Sequence, residues 1–329
     1  MHTKKLVTIL VLSLAVVGLV LPGTVLAQES DFPNQEIKII CPWSAGGGTD
    51  RTARKVAELA EEYLGVSVYV VNRTGGSGAV GHAAAAYAYP DGYTVGLATM
   101  ELATLKHLGF SRVTYKDVTA VAQYNADPAA ISVREDFPAD NVQEFIDLAK
   151  ESEEKLQVSH SGTGAAWHLA FAGFARKVGI ADDVNYLSYD GAAPAIKAVL
   201  GGEADLTPSS AVEVYPQVEA GKMKVLAVMA DERLEGILPN VPTLKEEGID
   251  YTAGTWRGLV VPEGTPEERV KILSEAFRKV YNSEEFQKFM DKQGFGMKWR
   301  GPEEFQKFLV DQHEVYGDVI DQLGIGAEE

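Results

Sequence analysis

The chain has 329 residues, one cysteine and a net charge of −17, from 47 acidic and 30 basic residues. This acidic balance argues against nucleic acid and anionic lipid as partners, because both would repel the protein. The single cysteine, Cys41, excludes an internal disulfide and any metal site built from several thiolates. We expect no metal and no cofactor.

The N-terminus is typical of a secretory signal peptide. Lys4 and Lys5 precede an apolar run at 6–21, and a pattern of small residues follows at 25–27. The run is too short to span a bilayer, and no stop-transfer pattern follows it. We predict a signal peptide at 1–27 and an exported mature chain, soluble in the periplasm or extracytoplasmic space. Removing the two lysines would change the net charge from −17 to −19.

Strand and helix patterns alternate over the next stretch of the chain. A strand is predicted at 37–43, and the helix after it has Thr49 or Asp50 as its predicted N-cap. A strand at 66–71, an alanine-rich helix at 79–88 and a strand at 93–99 follow. Strands joined through helices in this way predict a parallel sheet.

The pattern then starts again and forms a second α/β unit. Strands are predicted at 129–133, 156–160, 184–189, 204–209 and 224–230, with helices near 141–152, 166–178, 192–201 and 211–220. A strand at 255–261 leads to a predicted capping box formed by Thr265 and Glu268, with Pro266 at the first helical position. The last sixty residues are predicted to be helical. Two α/β units in succession predict two lobes with a cleft between them.

Three glycine-rich turns each follow a strand and precede a helix, at 44–50, 72–81 and 159–164. Glycines let the backbone approach a ligand closely, and a helix N-terminus favours an anion. An ordinary strand-to-helix turn needs one glycine, whereas the first turn has three in a row. In open α/β sheets ligands bind beyond the carboxyl ends of the strands. The three turns therefore predict a site that surrounds a small anion with N–H donors.

The second turn also has the spacing of a dinucleotide-binding fingerprint. Gly76, Gly78 and Gly81 match G-x-G-x-x-G, and Glu101 lies where the ribose-binding acid is expected. In a true fingerprint the first glycine follows the strand almost directly, but here 72–75 intervene. No P-loop is present either, because no Gly-Lys-Ser/Thr follows the first turn. We interpret the spacing as a coincidence.

The third turn raises the possibility of a hydrolase. The sequence has no G-x-S-x-G nucleophile elbow, and residues adjacent in an extended segment, such as His160 and Ser161, point in opposite directions. A secreted hydrolase that uses His160 or His168 with a nearby serine stays open as an alternative function. Ester turnover abolished by Ser161→Ala would support that alternative.

Several segments resemble the solute receptors of tripartite tricarboxylate transporters, also called Bug receptors. They are FPNQEIKIICPWSAGGGTDRTAR, VVNRTGGSGAVG, YPDGYTVGLAT, SGTGAAWHLA, YDGAAPAIKAVLGGEADL, VPTLKEEG and WRGLVVPEGTP. The resemblance implies a two-lobed α/β periplasmic binding protein, type II-like, with lobe 1 at 28–128 and 252–329 and lobe 2 at 129–251. It implies no catalysis, capture of a small organic carboxylate, and delivery by a monomer to membrane permease subunits. A receptor that signals to a membrane kinase stays open as a further alternative.

The resemblance also implies which residues bind the ligand. The first and second turns would grip one carboxylate, and the third would meet the other end of the ligand. The expected set is Trp43, Ser44, Ala45, Gly47, Gly48, Thr49, Asp50, Gly75, Gly76, Ser77, Gly78, Ser159, His160, Ser161, Gly162, Thr163, Gly164, Asp190 and Asp205.

Five further expectations concern single residues. Asp205 is expected near the hinge, and Asp190 replaces a frequent lysine, so it would disfavour additional ligand carboxylates if it faced the cleft. His168 is expected to cap a helix, and Arg73 to brace its loop. We expect backbone amides to hold the ligand without a buried Lys or Arg. Trp256 matches an aromatic residue of the family, and Arg257, the next residue on the same strand, should face away from it, so Arg257 is not expected to contact the ligand.

Overall fold

The computed structural model describes residues 32–234 and 236–327. The predicted signal peptide lies outside the described residues. Within them the chain forms eleven strands: β1 (Ile37–Cys41), β2 (Val68–Asn72), β3 (Thr94–Thr99), β4 (Val118–Pro128), β5 (Ala130–Arg134), β6 (Leu156–His160), β7 (Val184–Ser188), β8 (Leu206–Thr207), β9 (Met223–Val228), β10 (Gly254–Pro262) and β11 (Met297–Arg300).

Ten helices connect or cover these strands in the described part of the chain. They are α1 (Gly48–Leu64), α2 (Ala79–Ala86), α3 (Glu101–Thr104), α4 (Val142–Glu151), α5 (Ala166–Val178), α6 (Ala192–Leu200), α7 (Ala211–Glu219), α8 (Glu267–Asn282), α9 (Glu284–Gln293) and α10 (Pro302–Leu323). The predicted helices of the second α/β unit are confirmed. The last sixty residues are helical except for β11, which the sequence pattern did not indicate.

The strands form two sheets. The first has six strands in the order β11-β4-β10-β3-β1-β2, and the second has five in the order β7-β6-β8-β5-β9. We call each sheet with its covering helices the first lobe and the second lobe. Both sheets are mixed rather than purely parallel. The β1–β2, β1–β3 and β6–β7 pairs are parallel as predicted, whereas β10 runs antiparallel to β3 and β4.

The mixed character of the first sheet has a topological cause. Strand β10 returns from the second lobe, so no crossover helix links it to β3 and nothing requires it to run parallel. It pairs along its whole length with β4, an eleven-residue strand that the sequence pattern also missed. Both faces of β4 are mostly buried, so its polar and apolar residues do not alternate in the way that marks a half-exposed strand.

The chain passes between the lobes where three segments meet side by side. The N–H of Ala129 donates to the carbonyl of Ala253, that of Ala253 to Met229, and that of Met229 back to Ala129. A buried apolar cluster that includes Met100 of the first lobe and Phe171 of the second continues across this region. The crossings support the predicted lobe boundaries at 128/129 and 251/252, which stay a prediction.

Two predicted helix starts were wrong. Helix α1 begins at Gly48 with Gly47 as its N-cap, one turn ahead of the predicted caps, and Gly47 has no side chain to cap it. Helix α8 begins after Pro266 without a capping box, because the Thr265 hydroxyl donates instead to the carbonyl of Pro262. In the first case the capping oxygen comes from the other lobe, which no local pattern can show.

Candidate functional site

A small cavity lies between the carboxyl ends of the parallel strands of the two sheets. Its volume is about 20 Å³, enough for roughly one water molecule. It is lined by Trp43, Gly47, Thr49, Thr99, Glu101, Ser161, Ala166, Trp167, Ala192, Glu213, Thr255 and Arg257. The first and third turns reach this cavity, as does the start of α6. The wall therefore combines helix N-termini from both lobes with two glutamates and one arginine.

The N-terminus of α1 is capped by a side chain of the second lobe. The N–H of Gly48 donates to Glu213 Oε1 at 2.7 Å. Ser210, the residue before α7, donates its hydroxyl to the other oxygen of Glu213 at 3.2 Å. A carboxylate at this position is favoured by the free N–H groups and by the partial positive charge of the helix end.

Arg257 on β10 lies behind this carboxylate and is 1% exposed. Its Nη1 pairs with the buried carboxylate of Asp127 and also donates to Asn125, both on the neighbouring strand β4. Its Nη2 lies 3.6 Å from Glu213 Oε1, and its Nε donates to Thr49 Oγ1 at 2.9 Å. Burial lowers the pKa of Arg257, but the carboxylates of Asp127 and Glu213 outweigh that effect and raise it.

Arg257, which was not expected to contact the ligand, lies in the cavity wall. Arg257 and Trp256 do point to opposite faces of β10, since Trp256 packs on Phe305 and donates to Gln312. The cavity, however, lies on the arginine's side. The site thus contains a buried cation after all, held by a carboxylate on β4, a strand that was not predicted.

The N-terminus of α5 is capped in the reciprocal way, by a side chain of the first lobe. The N–H of Ala166 donates to Glu101 Oε1 at 2.8 Å, and the hydroxyl of Thr99 donates to the other oxygen. Trp43 Nε1 donates to the same hydroxyl at 3.2 Å. Burial raises the pKa of Glu101, although the hydrogen bonds from Thr99 and Ala166 act against that rise.

The second turn does not line the cavity. Of its four expected ligand residues, 75–78, Ser77 has a left-handed backbone with φ of 54° and packs against Gly162 of the third turn. Gly78 lies under the ring of Trp43, where a Cβ would come 3.1 Å from the ring. The second turn therefore contacts the other lobe through Ser77 and packs against the ring of Trp43 from outside the cavity.

His82, just after the second turn, explains how Thr99 is fixed. The N–H of Thr99 donates to His82 Nε2 at 3.3 Å, so Nδ1 carries the proton and donates to the carbonyl of Gly78 at 2.9 Å. Burial lowers the pKa of His82 to about 4. A neutral imidazole is thus part of the frame that orients Thr99 toward Glu101.

The third turn contributes Ser161 to the cavity wall and keeps its other groups occupied. Ser159 is fully buried and donates to the carbonyls of Ala195 and Leu206. Thr163 is exposed, and the N–H of Gly164 donates to His168 Nδ1 at 2.9 Å. His168 thus ties the third turn to α5, but it does not cap the helix as expected, because the N-cap residue Ala165 has no side-chain cap hydrogen bond.

The histidines of the third turn are poorly suited to general-base catalysis. His160 Nδ1 accepts the N–H of Gly162, and the rings of His160 and His168 lie 4.7 Å apart. Burial, and for His160 the neighbouring His168, lower their pKa values to about 3 and about 4. An imidazole with so low a pKa is too weak a base to accept a proton from a serine hydroxyl efficiently. The geometry gives the hydrolase alternative no support.

The remaining expected residues lie around the site rather than in it. Asp50 accepts hydrogen bonds from Gly46, Arg54 and Asn72, which lower its pKa against the opposing effect of burial, and so it holds the first turn in shape. Ala45 is exposed, and the N–H of Ser44 donates across the lobes to the carbonyl of Asp190 at 3.0 Å.

The side chain of Asp190 is exposed, so it does not face the cavity. Asp205 accepts the N–H of Gln157 near the start of strand β6, at the end of the sheet opposite the site. The side chain of Arg73 is exposed as well. Neither Asp190 nor Asp205 lines the cavity, and their expected roles stay predictions.

Eight of the twelve residues that line the cavity were not in the expected set, and they include all three charged ones, Glu101, Glu213 and Arg257. Glu101 was noticed only for its spacing from the second turn. A signal was available, because it directly follows a strand that ends beside the first turn. Glu213 had no local signal, since it lies in an ordinary amphipathic helix whose position against α1 depends on how the lobes close.

The described residues contain neither a candidate metal site nor a candidate membrane span. Across residues 32–234 and 236–327, no three His, Cys, Asp or Glu side chains form a group that could hold a metal ion. In the same part of the chain, every helix is too short or too polar to cross a membrane.

Comparison with known proteins places the chain in one family. Residues 52–325 match the family described as "Tripartite tricarboxylate transporter family receptor". The protein BugT of Bordetella pertussis is 24% identical over 329 residues, which cover 98% of this chain and 99% of BugT.

Three solved structures show the same two-lobed fold. A TctC solute-binding protein from Polaromonas without ligand is 38% identical with a TM-score of 0.64, covering 88% of this chain and 99% of that one. MatC of Rhodopseudomonas palustris with bound malate is 26% identical with a TM-score of 0.82, covering 88% and 100%. R. palustris Rpa4515 with adipate is 26% identical with a TM-score of 0.85, covering 90% and 99%.

The match extends over most of the chain and includes the second and third glycine-rich turns, while the first turn lies just before it. The family is one of transporter receptors, and a further structural relative, BugD, is described as a periplasmic binding protein. The chain belongs to the tripartite tricarboxylate transporter receptor family.

Proposed function

We propose that the protein is an extracytoplasmic receptor that binds a small dicarboxylate between its lobes and delivers it, as a monomer, to a membrane permease. One observation carries this proposal: the N-termini of α1 and α5, from opposite lobes, line one cavity, and each already holds a carboxyl group. The N–H to oxygen distances are 2.7 and 2.8 Å. Groups that hold glutamate side chains in this geometry can hold ligand carboxylates in the same way.

The charge of the cavity agrees with an anionic ligand that is captured locally. Arg257 provides a buried cation within reach of the α1 N-terminus. The protein as a whole is strongly acidic, so it would repel an anion at long range. Binding strength must then come from directional N–H donors and this single cation inside a site that excludes water.

The relatives support both the ligand class and a closed arrangement of the lobes. Those with malate and adipate are structurally closer to this protein than the unliganded Polaromonas receptor, although the latter has the more similar sequence. Greater sequence identity normally accompanies greater structural similarity. A different rotation of one lobe against the other in the unliganded receptor accounts for its lower TM-score despite its higher identity. The small cavity fits a closed receptor that must open to admit a ligand.

Thermal unfolding of the mature chain with a series of four- to six-carbon dicarboxylates tests the proposal. At a concentration of one hundred times Kd, a ligand stabilises the protein by about 2.7 kcal/mol. For about 300 residues, each contributing about 2.1 cal/mol/K of unfolding entropy, that corresponds to a rise in Tm of about 4 °C. The matched controls are the monoamides, which stay close to the acids in size and shape and lose one charge. A flat Tm for every acid would contradict the proposal.

A further inference from the structure

Both carboxylate-binding helix ends are occupied by the protein's own glutamates. We propose that Glu213 and Glu101 take the positions of the two ligand carboxylates in the empty, closed receptor, and that a ligand must displace them to bind. This inference rests on the proposed function and adds two residues that set which ligands can bind.

Glu213 is held as a bound carboxylate would be. Its side chain is 4% exposed, and one oxygen contacts both the N–H of Gly48 and the guanidinium of Arg257. The fit leaves no room for a side chain at residue 48, because a Cβ there would lie 2.6 Å from Glu213 Oε1 and 2.8 Å from Arg257 Nη2. A close backbone approach of this kind is the usual reason for a glycine at an anion site.

Glu101 makes the matching contact from the other lobe. It is 2% exposed and accepts the N–H of Ala166 at the start of α5. The residues before the two helices, Gly47 and Ala165, supply no capping side chain. Each helix end therefore lacks a local cap, and a glutamate that reaches across from the opposite lobe fills the position in both cases.

The contacts around the cavity hold the lobes together while the glutamates are in place. The N–H of Ser44 donates to the carbonyl of Asp190, and Arg51 Nη2 donates to the carbonyl of Val212 at 3.0 Å. A glutamate tethered on the opposite lobe competes with free ligand at a high effective concentration. A monocarboxylate can replace only one of the two glutamates, whereas a dicarboxylate replaces both. The pair thus favours ligands with two acidic groups.

The variant Glu213→Gln tests this competition. Glutamine keeps an oxygen that accepts the Gly48 N–H but loses the charge, and charge-assisted hydrogen bonds are about twice as strong as neutral ones. We expect the empty variant to open, with a larger radius of gyration in small-angle X-ray scattering. We also expect calorimetry to show a Kd for a dicarboxylate that is lower by about tenfold or more, because less of the empty protein is closed. Glu219→Gln, an exposed change on the same helix, is the matched control and should leave both values unchanged.

Glu213→Asp provides a second variant that keeps the negative charge beside the buried Arg257. Its shorter side chain withdraws the carboxylate from Gly48, so the same two changes are expected. An empty Glu213→Gln protein with the wild-type radius and unchanged affinity would overturn the inference. Weaker binding would overturn it too, because Glu213 would then hold a ligand group such as an ammonium. If the empty variants open but neither they nor the wild type bind any dicarboxylate, the proposed function fails while the glutamate contacts stand.

Discussion

Replacing Arg257 with methionine gives the most direct measure of what holds the site together. The Arg257–Asp127 pair is buried, with side chains 1% and 0% exposed. Removing one partner of such a pair costs about 3–5 kcal/mol, because the other charge stays buried and uncompensated. Asp127 keeps hydrogen bonds from Asn125 and from the N–H of Gly296, so we expect the lower end, about 3 kcal/mol.

For about 300 residues, each contributing about 2.1 cal/mol/K of unfolding entropy, this loss corresponds to a fall in Tm of about 5 °C, which circular dichroism resolves easily. The control is Arg233→Met, which breaks a partly exposed pair with Glu246 and should cost less than about 1 kcal/mol. The double variant Arg257→Met with Asp127→Asn removes both charges, and we expect it to recover about 2 kcal/mol of the loss. A loss below about 1 kcal/mol for Arg257→Met, or no recovery in the double variant, would refute the reasoning.

Three further predictions follow from the turns and the histidines. A glycine-to-alanine change inside a helix normally stabilises it by about 0.5–1 kcal/mol. In Gly48→Ala, however, the new Cβ would displace Glu213, so we expect the empty protein to open, with a larger radius of gyration in X-ray scattering. Gly47→Ala is the control and should leave the radius unchanged, because its Cβ would have ordinary contacts. Gly78→Ala should cost about 1–2 kcal/mol more in urea unfolding than Gly65→Ala, because both have positive φ but only Gly78 lies against Trp43; equal losses would argue against that packing. The lowered pKa of His82, about 4, means that the unfolded chain takes up a proton near pH 6.5 and the native one does not. The contribution of His82 to stability should therefore be full above pH 6.5 and fall by about 1.4 kcal/mol per pH unit as the pH drops toward 4. His160 and His168, whose pKa values are lowered in the same way, steepen the fall, and a flat profile between pH 7 and 5 would contradict this.

Much of the fold was readable from the sequence because it depends on local patterns. Strands β1, β2 and β3 and the helices of the second lobe follow hydrophobic periodicity, and glycines stop or start them. The cases that failed depend on partners far away in the chain. Strand β4 is buried on both faces, and β11 is a four-residue edge strand, so neither has a clear alternation of polar and apolar residues.

The same distinction between local patterns and distant partners applies to the candidate site. The positions of the first and third turns beyond strand ends could be predicted, since βα connections place them there in any open α/β sheet. The second turn has the same local composition, yet it lies outside the cavity wall. Its backbone packs against the third turn instead, as the contact between Ser77 and Gly162 shows.

The amino-acid sequence was enough to predict a two-lobed α/β protein in which helix N-termini form a site for a small anion. That Arg257 reaches the cavity, and that Glu101 and Glu213 cap the helices of the opposite lobes, became visible only in the folded protein. The physical reason is that capping and ion pairing act over about 3 Å, so they depend on which side chains the closed lobes bring together. Residues 48 and 213 are 165 positions apart in the chain, and only lobe closure makes them neighbours.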